Sequence, residues 1–582
     1  MLFREVVTVL ESIERTRSRL EITSALAELF KKTNPEEAKY LSYLLTGYIL
    51  PPYYGVETGI GIKMLFDALS IASGYKKEEI EKEYKKINEI GLLAYNVIEK
   101  KKQKTLLKKE MDLSYVYKSM LKIAMLSGKG SAELKKRYTA ELFNNASKEE
   151  AKYIARILLA EIRAGIGEPT ILDALSWALK GTKELRDDIE RAYNLCSDIG
   201  IVAETALKSP DLIKTFEINI FRPIRPALAE RLASAEEIYK KIGTCAIEYK
   251  YDGFRMQVHK KNNEVAIFSR RLERMKGMFP DIEQSIKLLE PDELIIEGEA
   301  LAYDQKQGRF FSFQETMHRR RKYGIEQASK QYPLKLFLFD IMYLNGKDLT
   351  REPFKKRREI LEKAIAKRPG NIEISTLKIA KNAGEIENMF NDAIKRGLEG
   401  IMAKDLNAPY IAGKREFAWI KLKKSYGKEI DTIDAVVAGY YYGTGARAKF
   451  GFGGLLVCIY NEETDKFETI AKASSGFTEQ ELVKFKKMLE EIETDKPDER
   501  VVSLIKPDKW VKLKYVVEVM YDEITLSKQH TAGMQTESGK GFALRFPRFF
   551  KLREDKDIYE ATTLREIESL FYAQKSKAGK KA

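Results

Sequence analysis

The hydrophobic pattern of the chain changes near residue 218, and this change most limits how the chain can fold. Before it, apolar residues recur three and four positions apart, for example over 10–30 and 149–179, which predicts amphipathic helices. Residues 221–226 contain two prolines, and each proline disfavours helix in the residue before it. We therefore expect an all-helical domain over 1–217, followed by an extended connection.

Two further patterns follow this connection. Up to about residue 424, strands alternate with helices, and helices are predicted at 354–366 and 383–395. Beyond it, short strands predominate, at 434–442, 454–460 and 512–521, and glycine-rich turns separate them. This last pattern is typical of a small β-barrel.

The sequence thus predicts a multidomain chain of mixed class. Its parts are an all-α N-terminal domain over 1–217, an α+β domain over 218–424, a C-terminal β-barrel over 425–575 and a basic tail over 576–582. The tail consists of basic and small residues, which is typical of disorder near a chain end.

The balance of charge points to a polyanionic partner. A formal net charge of +15 would attract nucleic acid, although a lysine-rich proteome would produce the same excess. The chain has no apolar run long enough to span a bilayer, and its start has no signal-peptide pattern. We therefore expect a cytoplasmic, intracellular protein that is not secreted.

Cysteine and histidine are too few and too scattered for several kinds of site. The three cysteines, Cys196, Cys245 and Cys458, make neither a disulfide framework nor a four-cysteine zinc site. The three histidines are equally dispersed. Any metal is therefore expected to bind carboxylates and phosphate oxygens.

One short stretch of the α+β domain combines strand signals with reactive side chains. Residues 245–249 and 254–260 predict two strands, and the Asp252-Gly253 pair between them predicts a hairpin turn. Alternate residues of a strand share a face, so Glu248 and Lys250 are expected to project the same way. A carboxylate and an amine would then lie together at a strand end.

Lys250 is the candidate nucleophile of this stretch. A lysine in a desolvated pocket beside other cations favours its neutral form, and a neutral amine attacks carbonyl or phosphorus centres. Arg255 would supply one such cation from the following strand. An ordinary surface lysine beside a turn is an equally good interpretation of this stretch taken alone.

Five later segments share a design in which polar or aromatic side chains recur on alternate positions of a strand. Taken singly, each is the ordinary pattern of a strand with one polar face. Together with Lys250 they supply carboxylates for a divalent metal, an aromatic platform and several cations, which binding and opening a nucleoside triphosphate requires. Their side chains are Arg270 and Arg271, Glu297 and Glu299, Phe337 and Phe339, Glu399, and Lys421 and Lys423 with Arg415 before them.

The stretch around Lys250 also matches a known signature. Residues 250–255 read Lys-Tyr-Asp-Gly-Phe-Arg and fit the K-x-D-G-x-R signature of covalent nucleotidyltransferases. The later segments match the other motifs of that superfamily in order, ending with Arg545-Phe546-Pro547-Arg548. The set resembles ATP-dependent DNA ligases of the archaeal and eukaryotic replicative type, over nearly the whole chain. The resemblance implies a helical DNA-binding domain, an adenylylation (nucleotidyltransferase) domain and an oligonucleotide-binding (OB) fold.

The resemblance further implies a reaction and roles for the matching residues. Such ligases seal nicks in duplex DNA, in replication, repair and recombination, through a lysyl-AMP intermediate and an adenylylated 5′-phosphate. Lys250 would be the catalytic lysine. The residues expected to bind the nucleotide are Glu248 at the adenine edge, Phe339 on the ring, Arg255, Arg270 and Glu299 at the ribose and phosphates, Arg415, Lys421 and Lys423 at the phosphates, and Arg545 and Arg548 over the triphosphate.

A metal and macromolecular partners are implied in the same way. Mg²⁺, or Mn²⁺ in its place, would be bound by Glu299 and Glu399. The substrate would be nicked double-stranded DNA, on which a monomer acts in the nucleoid. In archaeal relatives, the segment matching Gln103, Leu106 and Leu107 docks on the sliding clamp PCNA with two aromatic residues, where this chain has two leucines. Apolar anchoring is kept, with less contact area.

Other protein classes share parts of this pattern. The mRNA-capping guanylyltransferases and RNA ligases use the same lysine chemistry, but the long helical domain predicted at the start of this chain argues against both. A nicotinamide-dependent DNA ligase would add cysteine zinc ligands, which the sequence does not contain. A non-catalytic DNA-binding scaffold with a relic pocket would not need to keep Lys250, Glu299, Glu399 and Lys421.

Overall fold

The structure is a computed structural model, and it describes the chain apart from residues 17, 88, 103–108, 161, 163, 305–308, 312, 322, 424–430, 444, 536–538 and 579–582. The expected clamp contacts Gln103, Leu106 and Leu107 lie outside the described residues. The chain divides into two compact units, Met1–Glu217 and Ile218–Ala582.

The first unit is built of α-helices, as its hydrophobic periodicity predicts. The helices found among its described residues are α1 Phe3–Ile13, α2 Arg19–Lys31, α3 Pro35–Thr46, α4 Ile62–Ser73, α5 Lys77–Ile87, α6 Ile90–Glu99, α7 Leu113–Met125, α8 Ser131–Asn145, α9 Lys148–Leu158, α10 Glu168–Lys180, α11 Arg186–Cys196, α12 Ile199–Lys208 and α13 Pro210–Lys214.

Local signals explain where these helices begin and end, and α3 illustrates them. The Asn34 side chain accepts a hydrogen bond from the Glu37 amide at 2.9 Å, and the Glu37 carboxylate accepts one from the Asn34 amide at 3.1 Å. This capping box satisfies amides that the first turn would leave unpaired, and Pro35 needs no such partner. Gly47 ends the helix with a φ of 76°, a conformation that favours glycine.

The apolar faces of the helices form one core in the first unit. Phe3, Phe30 and Phe143 are fully buried within it. Asp198 is a buried carboxylate beside this core, and it accepts hydrogen bonds from the hydroxyls of Tyr43 at 2.7 Å and Tyr53 at 2.9 Å. Its burial is therefore compensated by hydrogen bonds.

The second unit mixes helices and strands. Helices α18 and α19 confirm the helices predicted at 354–366 and 383–395. Among the described residues of either unit, no helix is long and apolar enough to cross a membrane. The helices are α14 Ala235–Ile242, α15 Pro280–Lys287, α16 Phe313–Met317, α17 Ile325–Gln331, α18 Phe354–Ala364, α19 Ala383–Lys395, α20 Glu479–Glu490 and α21 Leu564–Ala578. The strands are β1 Leu228–Arg231, β2 Cys245–Lys250, β3 Phe254–Lys261, β4 Glu264–Ser269, β5 Glu293–Asp304, β6 Arg309–Phe310, β7 Leu334–Leu344, β8 Lys347–Asp348, β9 Ile372–Ile374, β10 Leu377–Ala380, β11 Gly400–Asp405, β12 Arg415–Lys423, β13 Asp431–Tyr441, β14 Gly454–Asn461, β15 Lys466–Ala473, β16 Glu493–Thr494, β17 Val501–Val502, β18 Lys509–Val511, β19 Val516–Tyr521, β20 Glu523–Ser527, β21 Ala532–Gln535, β22 Lys540–Arg545 and β23 Arg548–Leu552.

Two sheets make up the first part of this unit. One has the strand order β1-β12-β11-β2-β10. The other has the order β4-β3-β5-β7-β8, with β6 paired to β5 and β9 paired to β7. The consecutive strands β2 and β3 lie in different sheets, since β2 pairs with β10 and β11 while β3 pairs with β4 and β5. The hairpin predicted at Asp252-Gly253 is therefore wrong.

The Asp252-Gly253 pair instead carries the chain from one sheet to the other. A two-residue Asp-Gly hairpin needs the left-handed conformation at both turn residues, and neither of these residues adopts it. Gly253 is required for a close approach, because a Cβ at this position would lie 2.2 Å from the carbonyl oxygen of Ala300 on β5. The absence of a side chain thus lets the segment that leads into β3 lie against β5.

The C-terminal part of the unit consists of curled sheets. Strand β13 pairs with β14 along one edge, and with β19 and then β18 along the other. Strands β13 and β14 confirm the strands predicted at 434–442 and 454–460, and β19 forms the second half of 512–521. Their apolar faces form a core around Val457, Val517 and Phe549. The last helix, α21, continues to Ala578.

Candidate active site

Lys250 is the last residue of β2, where the strand gives way to the crossover. Strand β11 lies beside it, with Gly400 paired to Lys250, and the Glu399 amide donates to the Lys250 carbonyl at 3.2 Å. This pairing brings the Glu399 side chain to the lysine, and Lys250 Nζ donates a hydrogen bond to Glu399 Oε2. The carboxylate that holds the amine therefore comes from the neighbouring strand.

A cavity of about 830 Å³, including the space at its mouth, opens at this end of β2. Side chains from both sheets line it, so the alternating faces predicted for separate strands meet at one place. The expected site residues that line the cavity are Glu248, Lys250, Arg255, Arg270, Glu299, Phe339, Arg415, Lys421 and Lys423.

Glu399 bridges two lysines at this cavity. Its Oε1 lies 2.5 Å from Lys423 Nζ, while its Oε2 is bound by Lys250. Burial would raise the pKa of the Glu399 carboxyl, but Lys250 and Lys423 hold that pKa well below its ordinary value. Burial would lower the pKa of Lys423, yet Glu399 raises it. At neutral pH Glu399 is therefore a carboxylate and Lys423 an ammonium.

Glu299 has a different environment. It lies on β5 and lines the same cavity, and its carboxyl group makes no hydrogen bond or ion pair with another residue in the described part of the chain. Burial raises the pKa of its carboxyl to about 7, against the opposing effect of Lys250. A half-buried carboxyl group that is unpaired within the protein is available to a ligand.

The donor atoms at the cavity fit a hard divalent cation. Mg²⁺ prefers oxygen ligands and commonly binds one or two carboxylates together with substrate phosphates. Glu299 offers both of its carboxyl oxygens, and Glu399 lies beside Lys250. Within the described ranges, no three acidic, histidine or cysteine side chains are placed to hold a metal among themselves. These residues therefore fit a cation that also binds the phosphates of the substrate.

Another part of the cavity lining suits a purine base. Glu248 is buried, and the rings of Phe339 and Trp419 lie 5.8 Å apart between centroids in an edge-on arrangement. Met402 lines the cavity with them. Aromatic and thioether groups pack well against a flat ring, and a carboxylate accepts a hydrogen bond from an amino group on its edge.

Cations that are expected to bind phosphates are paired with carboxylates from the C-terminal part of the unit. Arg415 Nη1 contacts Glu566 on α21, and Lys421 Nζ lies 3.6 Å from the same carboxylate. Arg270 Nε donates to Glu560 at 2.6 Å. Phosphate oxygens would compete with these two glutamates for the same donors.

The surroundings of Lys421 affect its charge, and those of Arg255 its orientation. Burial, with the neighbouring Arg415, lowers the pKa of Lys421 to about 8. Arg255 is buried as well, and its Nη2 donates to Glu297 at 2.6 Å while Nη1 donates to the Ala227 carbonyl at 2.8 Å. Arg255 is therefore rigidly oriented, whereas Lys421 changes its charge near pH 8.

Arg545 and Arg548 do not line the cavity. Arg545 ends β22 and pairs with Glu523 at 3.0 Å, and Arg548 begins β23 and pairs with Asp522 at 2.7 Å. More than half of the Arg545 side chain is exposed. Their expected contact with the triphosphate stays a prediction.

Sequence reasoning missed several residues at the cavity. Trp419 lies two residues before Lys421 on β12, so the alternation that predicts Lys421 also places this ring on the same face. Arg553 and Lys556 follow β23, line the cavity and pair with Asp434. Their positions follow no strand periodicity, and no local signal could have found them.

The comparisons with known proteins agree across the chain. Three family profiles match, described as DNA ligase N terminus at residues 2–176, ATP dependent DNA ligase domain at 226–423 and ATP dependent DNA ligase C terminal region at 448–556. The chain is 45% identical over 579 residues to a probable DNA ligase of Dictyoglomus thermophilum, covering 99% of this chain and 98% of that protein. It is 41% identical to DNA ligase 2 of Thermofilum pendens, covering 98% of this chain and 97% of that protein. It is also 41% identical to the DNA ligase of Nitrosopumilus maritimus, covering 98% of each.

The fold and the cavity define a nucleotidyltransferase domain between a helical N-terminal domain and a sheet-rich C-terminal domain. The chain belongs to the family of ATP-dependent DNA ligases. Nick sealing through an adenylate intermediate is the function of this family, so the class of enzyme expected from the motifs is confirmed.

Proposed function

We propose that this chain seals nicks in duplex DNA with ATP and that Lys250 carries the AMP. The observation that carries this proposal is the position of the Lys250 amine. It lies at a cavity, bound to Glu399, among a base-reading carboxylate, aromatic rings and several cations. A nucleotide in this cavity would find a group suited to each of its parts.

The reaction has three steps. First, the neutral amine of Lys250 attacks the α-phosphorus of ATP, a phosphorus–nitrogen bond forms, the nitrogen loses one proton and pyrophosphate leaves. Second, an oxygen of the 5′-phosphate at the nick attacks the same phosphorus, and the lysine nitrogen takes up a proton and leaves as the amine. Third, the 3′-hydroxyl attacks the adenylylated 5′-phosphate, loses its proton, and AMP leaves with the bonding electrons.

Glu399 holds the Lys250 amine in place. Its Oε2 accepts a hydrogen bond from Lys250 Nζ, and its low pKa keeps it a carboxylate that can do so. The same contact aims the amine, which is the main requirement when phosphoryl transfer depends on positioning and electrostatics.

The other residues of the cavity orient the nucleotide. Glu248 would accept a hydrogen bond from the adenine edge, with Phe339 stacked on the ring. Arg255, Arg270, Arg415, Lys421 and Lys423 would contact the ribose and phosphates, which oppose their positive charge. Binding of phosphates at Arg270, Arg415 and Lys421 would release Glu560 and Glu566 from these cations.

Mg²⁺, or Mn²⁺, would be held by Glu299 and Glu399 together with phosphate oxygens. When bound, such a cation offsets charge on the transferring phosphate.

In this proposal the domains extend over 1–217, 218–424 and 425–575, with the basic segment 576–582 at the end, and the first of them binds DNA. The protein acts as a monomer, and docking on the sliding clamp PCNA through Gln103, Leu106 and Leu107 belongs to the same proposal.

Labelling with α-labelled ATP and magnesium tests the proposal. We expect the protein to become covalently labelled and Lys250→Ala to abolish the label. Lys261→Ala is a matched control, since Lys261 lies on β3, the next strand along the chain, pairs with Glu293 and is half exposed. Its labelling should equal that of the wild type.

The nucleotide that labels the protein separates the alternatives. Labelling by GTP in place of ATP would favour a capping guanylyltransferase. Absence of labelling with any nucleotide would favour a non-catalytic scaffold. Sealing of a nicked duplex by the labelled protein, with release of AMP, would then complete the assignment.

A further inference from the structure

Three donors hold the carboxylate of Glu248. Arg358 Nη1 donates to Oε1 at 2.8 Å, and the Ser375 hydroxyl donates to the same oxygen at 2.7 Å. Lys404 Nζ lies 2.6 Å from Oε2. Glu248 is 2% exposed and Lys404 is 1% exposed, so water does not compete for these bonds. The orientation of the carboxylate is therefore determined by the protein before any nucleotide binds.

Arg358 and Ser375 also hold each other. Arg358 Nη1 donates to the Ser375 hydroxyl oxygen at 3.0 Å, and Nη2 donates to the Ser375 carbonyl at 2.6 Å. A serine hydroxyl has one proton, and this one is donated to Glu248. Ser375 can thus only accept a further hydrogen bond. Because Glu248 and Ser375 both line the cavity, they present acceptors to a ligand there.

We propose that Arg358 and Ser375 are positioning residues that make this enzyme select adenine over 6-oxopurines. Adenine carries an amino donor at position 6, where guanine and hypoxanthine carry an oxygen acceptor. A carboxylate has about four lone-pair sites, and three are engaged within the protein, so one remains for the amino group. A 6-oxo group would face lone pairs on both Glu248 and Ser375.

This inference rests on the proposed function, in which Glu248 reads the adenine edge. Lys404 links the Glu248 carboxylate to the backbone of the stacking residue Phe339, because its Nζ also donates to the Phe339 carbonyl at 3.2 Å. The carboxylate and the stacking ring therefore keep a constant separation. A base stacked on Phe339 would present its edge to an acceptor of defined position.

The test compares the kcat/KM of self-adenylylation for ATP and for purine riboside 5′-triphosphate, which lacks the 6-amino group. We expect the wild type to prefer ATP by roughly tenfold to a hundredfold, the usual effect of one hydrogen bond to a charged group. Ser375→Ala and Arg358→Met should each reduce this preference by at least about fivefold. ITP should gain relative to ATP in both variants.

Arg357→Met is the matched control for Arg358→Met. Arg357 is the adjacent residue on α18, fully buried, and it binds both oxygens of Asp340 at 2.8 and 2.9 Å. We expect its loss to reduce stability at least as much as the loss of Arg358, with the preference for ATP unchanged. A simple structural role of Arg358 would make the two variants alike, and this result would overturn the inference.

Each remaining outcome is also decisive. If Ser375→Ala and Arg358→Met keep the wild-type preference, the inference is wrong while the proposed function stands. If the wild type is labelled equally well by ATP and by the purine analogue, the proposed role of Glu248 is wrong. If neither nucleotide labels it, the proposed function itself fails. Should Arg358→Met not fold, Ser375→Ala decides the question, because it removes only one hydroxyl group.

Discussion

The glycine of the K-x-D-G-x-R stretch provides a direct test of the crossover. In Gly253→Ala the new Cβ would lie 2.2 Å from the Ala300 carbonyl oxygen and 2.9 Å from Leu301 Cγ. The first distance is about 1.2 Å short of the 3.4 Å at which ordinary contact begins, so backbone must move. A carbonyl within a strand ladder cannot turn aside as a flexible side chain can.

The magnitude follows from what lies next to Ala300. Overpacking of this kind costs about 1–3 kcal/mol of folding free energy, which corresponds to a few degrees in melting temperature. Glu299 precedes Ala300, and Lys250 lies three residues before Gly253. A backbone shift of about 1 Å at this contact would therefore move the Lys250 amine and the Glu299 carboxyl relative to each other. A misplacement of that size can lower the rate of a positioned reaction by about a hundredfold.

Scanning calorimetry and the rate of labelling by α-labelled ATP measure the two effects. Gly370→Ala is the matched control, since its Cβ would meet no atom within 4 Å and its φ lies outside the left-handed region. We expect the control to retain wild-type labelling and equal or slightly higher stability. Wild-type labelling and melting by Gly253→Ala would refute the steric account of this glycine.

Two further predictions concern the cations of the cavity. Since the pKa of Lys421 is about 8, its positive charge is present below pH 8 and lost above it. The kcat/KM for self-adenylylation by ATP should therefore lose the contribution of this charge to phosphate binding as the pH rises through 8. In Lys421→Arg this contribution should persist to at least pH 9.5, and identical pH profiles of the two proteins would contradict the prediction. Glu566→Gln should lower the KM for ATP at least about threefold, because the carboxylate no longer competes with phosphates for Arg415 and Lys421. Labelling at varied ATP concentration measures this KM, and Glu568→Gln on the same helix is the control. An unchanged KM in Glu566→Gln would show that Glu566 does not compete with phosphates.

Much of the fold follows from local patterns. Helix α19 begins and ends at the residues predicted for it, because its Asn382 cap and its apolar periodicity are both local. The polar faces of β5 and β12 are likewise predictable, since side chains alternate in any strand. Alternation within a strand does not predict that the polar faces of separate strands meet at one cavity. The ordered match to the motifs of the superfamily predicts this meeting.

The hairpin prediction failed because the decisive interaction is not local. An Asp-Gly pair between two strands has the same sequence pattern in a hairpin and in a crossover. The choice depends on which strands pair with β2, and those are β10 and β11, more than a hundred residues further along the chain. Long-range pairing and the close approach of Ala300 to Gly253 therefore override the turn signal.

The carboxylates Glu560 and Glu566 show why the site is more than its motif residues. Arg270, Arg415 and Lys421 lie at one cavity, and like charges at such a distance repel one another where water is scarce. Glu560 and Glu566 reduce this repulsion, and both follow the last β-strand, far from the cations in sequence. A nucleotide brings its own negative charge, so it can replace them. The cations can therefore pair with the carboxylates of the C-terminal segment and with phosphates in turn.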